Sequence, residues 1–141
     1  MKKILLVFAV FAAALSGCGK KAAPEPEIRY GTSSIYTEED MNAAIEEIRN
    51  MFDTWDGCEL HSIEYAGDEN CSPENIAWMN RLASANDAKE PFTQCILFKS
   101  SFHSPKKGGG TWNADQEYTG WQWWLARSDG GPWKLLTWGY G

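Results

Sequence analysis

The sequence predicts an α+β domain: a curved antiparallel sheet packed on a long N-terminal helix. Three observations carry that expectation. One stretch, Tyr36 to Gly57, repeats its apolar residues at helical spacing. From Phe92 onward the chain alternates with the two-residue period of strands and is broken by Gly-, Asp- and Ser-rich turns. The elements also come as helix, strand, helix and then a run of strands, the segregated order of α+β architecture.

In "YTEEDMNAAIEEIRNMFDTWDG" Thr37 is placed to cap the helix, and Glu38, Glu39 and Asp40 complement the dipole of its first turn. Met41, Ala44, Ile45, Ile48, Phe52 and Trp55 form one stripe, with Gly57 as the stop. "CELHSIEYAGD" reads as a strand with His61, Ile63 and Tyr65 on one face and Leu60 and Ser62 on the other. Ser72-Pro73-Glu74 opens a second helix carrying Ile76, Met79 and Leu82, which fades by Asn86-Asp87, ahead of Pro91. "FTQCILFKSSFHS" sets Ile96, Phe98 and Phe102 against Cys95 and Leu97. "PKKGGGTWNADQ" is a polar loop. "EYTGWQWWLAR" and "PWKLLTWGY" are strands joined through Ser128-Asp129-Gly130-Gly131. Strict alternation places Trp121, Trp123 and Leu125 opposite in facing to Gln122, Trp124 and Ala126, and Trp133, Leu135 and Thr137 opposite to Lys134, Leu136 and Trp138.

The chain opens "MKKILLVFAVFAAALSGCGKK". Two lysines precede an apolar run, Ile4 to Leu15, which has the length of a secretory signal core and falls short of the roughly 20 residues of a spanning helix. Small residues then lead into Cys18, as in the bacterial lipobox, where the thiol receives a diacylglycerol. Residues 1–17 therefore read as a lipoprotein signal peptide and Cys18 as the lipidation site. Residues 18–31, rich in Ala, Pro and Glu, read as a tether, and residues 32–141 as one domain. The expected location is the extracytoplasmic face of a bacterial membrane, held by the lipid. Loss of Lys2 and Lys3 with the signal takes the net charge from −6 to −8. A domain that acidic, without a basic cluster, does not neutralise phosphates, so nucleic acid is excluded as a partner.

The order of elements from "SSIYTEEDMNAAI" through "GCELHSIEYAGD" to "WWLARSDGGPWKLLTWGYG" resembles the cystatin-like and NTF2-like folds. The same stretches are similar to small lipoproteins of gut Firmicutes. The resemblance implies a fold and an extracytoplasmic setting, and it brings no catalytic residues with it.

Five of the eight tryptophans lie between Gly120 and Gly141. Those facing the first helix are expected in the core, where each removes about 150–250 Å² from water. Indoles on the opposite face would stack on sugar rings. The candidate ligand contacts are Trp112, Trp121, Trp123, Trp124 and Tyr118, with Trp112 singled out by its place on a loop. The ligand class is a cell-envelope or dietary glycan. An envelope protein, or a second copy of the chain in a homodimer, is the other occupant such a surface fits.

Enzymatic signals are sparse. "PKKGGGTW" lacks the spacing of a phosphate-binding loop. With His61 and His103, no H-E-x-x-H and no Cys-x-x-Cys, neither a metal site nor a cofactor is indicated. NTF2-like folds include enzymes that work by acid–base pairs, and an alternative small-molecule pocket for a hydrolase or isomerase would rest on His61 and Tyr65. Besides Cys18 there are Cys58, Cys71 and Cys95. If the strands flanking the second helix are antiparallel neighbours, Cys71 and Cys95 approach one another and are the expected disulfide, with Cys58 as a small buried hydrophobe.

Overall fold

A computed structural model describes residues 23–84 and 90–141. The expected signal peptide and the expected lipidation site Cys18 lie outside the described residues. The chain is α+β: the described residues form five strands in the order β1-β2-β3-β4-β5 and two α-helices. Strand β1 (Glu27–Arg29) runs parallel to β2 (Glu59–Tyr65), while β3 (Gln94–His103), β4 (Glu117–Arg127) and β5 (Lys134–Gly139) follow as antiparallel neighbours. The sheet is therefore mixed, where the sequence predicted an antiparallel one.

The added strand comes from the segment read as tether. Three residues, Glu-Ile-Arg, are too few to show a period, and only Ile28 is apolar; it pairs with Ile63 across the ladder. Helix α1 (Glu38–Phe52) fills the connection between the two parallel strands, as such a connection requires.

Thr37 caps α1 as expected. Its hydroxyl accepts from the Asp40 amide at 3.1 Å, and the Asp40 carboxylate accepts from the Thr37 amide at 3.0 Å, which closes a capping box. The helix stops at Phe52, before Trp55 and Gly57; Gly57 instead takes a left-handed φ of 77° in the turn that leads into β2. Met41, Ala44, Ile45, Ile48 and Phe52 are buried on the sheet with Ile63, Ile96, Phe98, Phe102 and Leu125. Helix α2 (Pro73–Ser84), whose first turn is held by Asn75 donating to the Ser72 hydroxyl, lies on the opposite side. There Met79 and Ala83 pack on Phe92, Cys95, Leu97, Trp124 and Ala126. One helix on each side explains why the first half of β3 is buried at successive positions.

Three shifts in register depart from strict alternation. The first falls between Leu60 and Ser62, so Leu60, Ile63 and Tyr65 are buried while His61 is exposed. The second inserts Thr119 and Gly120 opposite Ser101, with Gly120 at φ 68°. The third leaves Leu136 as an extra residue between the Leu125–Leu135 and Trp124–Thr137 pairs. Trp138 consequently stands directly opposite Trp123, and Trp133 packs in the same core as Leu135.

No helix among the described residues is long and apolar enough to cross a membrane.

Candidate functional site

The face of the sheet under α1 carries a continuous group of aromatic rings. Trp55, just past the end of α1, is its hub. Its ring centroid is 4.9 Å from that of Trp112, 5.8 Å from Trp121 and 5.2 Å from Trp123, the last nearly parallel at 24°. Phe102 stacks on Tyr118 at 5.0 Å and meets Trp112 and Trp121 edge to face. Such pairs add stability beyond the area they bury, through the ring quadrupoles. Trp123 in turn stacks on Trp138 at 6.4 Å, and Tyr140 meets Trp121 at 5.2 Å. The group thus runs from the core out to Trp138, 40% exposed, and Tyr140, 63% exposed.

The five aromatic residues singled out in the sequence divide among three settings. Trp123 and Tyr118 are buried on the α1 side, and the Trp123 indole donates to the Ser100 hydroxyl at 2.8 Å. Trp124 is buried on the other side of the sheet, 5.2 Å from Trp78 of α2, with its indole bonded to Gln122 Oε1. Trp112 and Trp121 are half-buried at the rim of the first group. Among the described residues, Trp121 Nε1 is the buried side-chain nitrogen or oxygen without a hydrogen-bond partner. The exposed members, Trp138 and Tyr140, are ones that strand alternation did not mark. Trp138 joins the group only because of the extra residue at Leu136.

The loop that carries Trp112 is tied down at its base. The buried Ser104 hydroxyl donates to the Asn113 carbonyl at 2.6 Å and accepts from the Gln116 amide at 2.9 Å. The Asn113 amide donates to Tyr118 Oη at 3.0 Å. These bonds fix the indole against Trp55 and Phe102.

His61 and Tyr65 are not brought together. The shift after Leu60 turns His61 to the open face, whereas the Tyr65 ring lies in the core and its hydroxyl donates to Asp68 at 2.6 Å. Asp68 also accepts from the Ser33 hydroxyl and from the Ser34 amide and hydroxyl. Those donors, Ser33 first and Tyr65 next, hold its carboxyl well below the usual carboxylate range. The recesses lined by Phe52, Trp55 and Cys58, by Phe92 and Asp129, by Ser62 and Thr119, and by Tyr30 and Asn42 have neither His61 nor Tyr65 in their walls.

On the open face, His61 meets a partner that the sequence did not suggest. His61 Nδ1 lies 2.9 Å and His103 Nδ1 3.1 Å from the two oxygens of Glu117, and His103 Nε2 lies 2.8 Å from Asp115. Glu59 is 3.5 Å from His61 Nε2. A neutral imidazole has one N–H, so neutral His103 can donate to only one of its two carboxylates, while the protonated ring donates to both. The Asp115 bond first, and then the Glu117 bond, raise its pKa above the ordinary histidine value. The stabilisation is therefore fully present below the unfolded-state pKa and is lost as pH rises through the higher folded-state value. NMR titration of the full chain is expected to show His103 titrating above its unfolded value, and Asp115→Asn is expected to bring it back toward that value. Unchanged titration in Asp115→Asn would contradict the assignment. Among the described residues, no group of three or more His, Cys, Asp or Glu side chains is arranged to hold a metal ion.

Cys71 follows the 3-10 turn Asp68–Asn70, and Cys95 is buried in β3. Both are free thiols, and Cys95 Sγ lies 3.3 Å from the carbonyl of Asn70, the residue before Cys71; burial first, and Cys71 next, push the Cys95 thiol up to about 12. Tyr36 Oη donates to the Cys95 carbonyl at 2.7 Å and lies 3.2 Å from Cys71 Sγ. Cys58 is half-buried beside Phe52, Trp55 and Leu60 in a recess of about 250 Å³, and burial raises its pKa as well.

Compared with protein-family models, curated proteins and solved structures, the chain has no match.

Proposed function

We propose that the chain is a lipid-anchored extracytoplasmic binding domain, tethered through Cys18, that holds a glycan against an aromatic edge formed by Trp138, Tyr140, Trp121 and Trp112. The observation that carries the reading is the outward run of stacked rings ending in Trp138 and Tyr140, the two most exposed large aromatic side chains among the described residues. Buried partners hold Trp138 and Tyr140 in fixed orientations, so little side-chain freedom is lost when a sugar ring stacks on them. Placement on the membrane exterior rests on the signal-like start and the small residues before Cys18. Within the α+β class, the fold is read as a variant of the cystatin-like or NTF2-like roll. The support is α1 lying across an antiparallel β2-β3-β4-β5 meander; β1 and the placement of α2 are its departures.

The enzymatic alternative, an acid–base pocket built on His61 and Tyr65, is less well supported: among the described residues His61 is exposed, whereas the Tyr65 ring is buried and its hydroxyl donates to Asp68.

The test is tryptophan fluorescence of the full chain in detergent, titrated in one arm with peptidoglycan fragments and in the other with a β-linked plant oligosaccharide. One arm is expected to saturate and so to separate an envelope from a dietary source. Trp138→Ala and Tyr140→Ala are each expected to weaken binding about tenfold, a loss of about 1.4 kcal/mol, with the circular dichroism spectrum unchanged. No response in either arm, together with protection of Trp138 that grows with protein concentration, would replace the glycan with a second copy of the chain.

A further inference from the structure

We infer that Cys71 and Cys95 are a built disulfide site, closed by exchange with an external disulfide, and that Cys58 stays outside it. This inference is independent of what the aromatic edge binds.

The topology leaves one pair within reach. Cys58 directly precedes Glu59, which pairs with His103 at the far end of β3. Cys95 lies eight residues back along that strand, about 26 Å away at the rise of a β-strand. A disulfide needs its Cα atoms within about 7 Å. Cys58 is thus excluded from bonding to Cys95, and equally to Cys71, which sits at Cys95: Tyr36 Oη reaches both Cys71 Sγ (3.2 Å) and the Cys95 carbonyl (2.7 Å), and Cys95 Sγ donates to Asn70, one residue before Cys71.

The surroundings of the pair accept oxidation without leaving a buried polar group unpaired. Reduced Cys95 donates to the Asn70 carbonyl at 3.3 Å, and the same carbonyl also accepts from Asn75 Nδ2 at 2.9 Å. When the thiol proton is lost, the Asn75 bond remains. Tyr36 keeps its bond to the Cys95 carbonyl in either state, because that bond does not involve sulfur.

Exposure sets the order of events. Cys71 is half-exposed and Cys95 is buried, so Cys71 meets the oxidant. The Cys71 thiolate attacks one sulfur of the external disulfide, forming a mixed disulfide and releasing the other half as a thiol. Cys95 then gives up its proton and its thiolate attacks the Cys71 sulfur, expelling the second thiol. Overall, two protein thiols and one external disulfide become one protein disulfide and two external thiols, so electrons and protons balance. The new bond pins the 3-10 turn and the start of α2 to β3, closing a loop of about 25 residues that contains the whole of α2.

The test uses the full chain in detergent, reduced, then incubated with oxidised glutathione, with free thiols alkylated and peptides mapped without reduction. The expected result is a linked Cys71–Cys95 peptide with Cys58 alkylated; mapping reads Cys18 separately. Cys58→Ser is expected to form the same link, and Cys95→Ser is expected to stop at a glutathione adduct on Cys71. Reducing the linked wild-type chain is expected to lower its melting midpoint by about 10 °C. Full alkylation of Cys71 and Cys95 after oxidation, a link that uses Cys58, or a linked chain whose midpoint ignores reduction would each overturn the inference. Because Cys58→Ser removes a residue remote from the pair, it keeps the test readable should a Cys71 or Cys95 variant fail to fold.

Discussion

Trp123→Ala is expected to destabilise the protein by about 3–5 kcal/mol, the range for deleting a buried aromatic side chain. Trp123 is 0% exposed and lies between Trp55 on one face and Trp138 on the other. Its removal opens a cavity at the centre of the ring group, unstacks the exposed Trp138 and leaves the buried Ser100 hydroxyl without its indole donor. A domain of this size has a total stability of about 5–15 kcal/mol, so the variant sits near the edge of folding. Trp123→Phe separates the two contributions: it keeps most of the ring packing and deletes the hydrogen bond, and its loss is expected nearer 1–3 kcal/mol. Urea midpoints of the three proteins at equal concentration check both figures. A wild-type-like midpoint for Trp123→Ala would mean that the ring group does not hold the α1 face together.

Arg127→Ala is expected to cost about 2–3 kcal/mol, for reasons that meet at one side chain. Arg127 Nη1 donates to Asp40 at 2.9 Å and Nε to Gln94 at 2.7 Å, while its guanidinium lies 4.3 Å from the centre of the Trp133 ring. The group joins the first turn of α1 to β3, β4 and the start of the last hairpin strand. Arg127→Lys is expected to recover only part of the loss, since an ammonium cannot make both directed bonds and stack on the indole. The effect has a pH signature. The Asp40 carboxyl is lowered, first by the Thr37 amide and next by Arg127. A depressed carboxyl contributes stability above its unfolded pKa, near about 4, and loses it as pH falls through the lower folded value. The gap between wild type and Arg127→Ala is therefore expected to narrow between pH 7 and pH 3, with the residual gap reflecting the contact to Trp133. A gap that stays constant with pH would show that the ion pair contributes nothing.

The parts of the fold that follow a regular period were legible in the sequence. The α1 stripe from Met41 to Phe52 and the facing of Cys95 to Phe98 on β3 need only that buried positions recur at 3.6 or 2 residues. What the period could not carry are the places where it breaks. An inserted residue flips every side chain beyond it, and neither His61 nor Leu136 has a residue type that announces an insertion; Gly120, in the left-handed region, is the one shift with such a marker. That is why the expected His61–Tyr65 face dissolved and why Trp138, expected on the face away from Leu135, shares one with it. Strand β1 was hidden for a different reason: three residues with one apolar side chain owe their strand to pairing with β2, which no local pattern records. The nearness of Cys71 to Cys95 was legible because it required only that β2 and β3 be antiparallel neighbours. The His61–Glu117–His103 contacts were not, because they join three strands at positions far apart in the chain.

The most direct measurement of the central claim is acrylamide quenching of the full chain's tryptophan fluorescence, with and without the saturating saccharide. All eight tryptophans lie in the described residues, and Trp138 alone among them is exposed. A binding edge predicts an accessible fraction that persists on dilution, falls in Trp138→Phe and becomes protected when saccharide is bound. An accessible fraction that saccharide leaves unchanged, or that Trp138→Phe does not reduce, would contradict it.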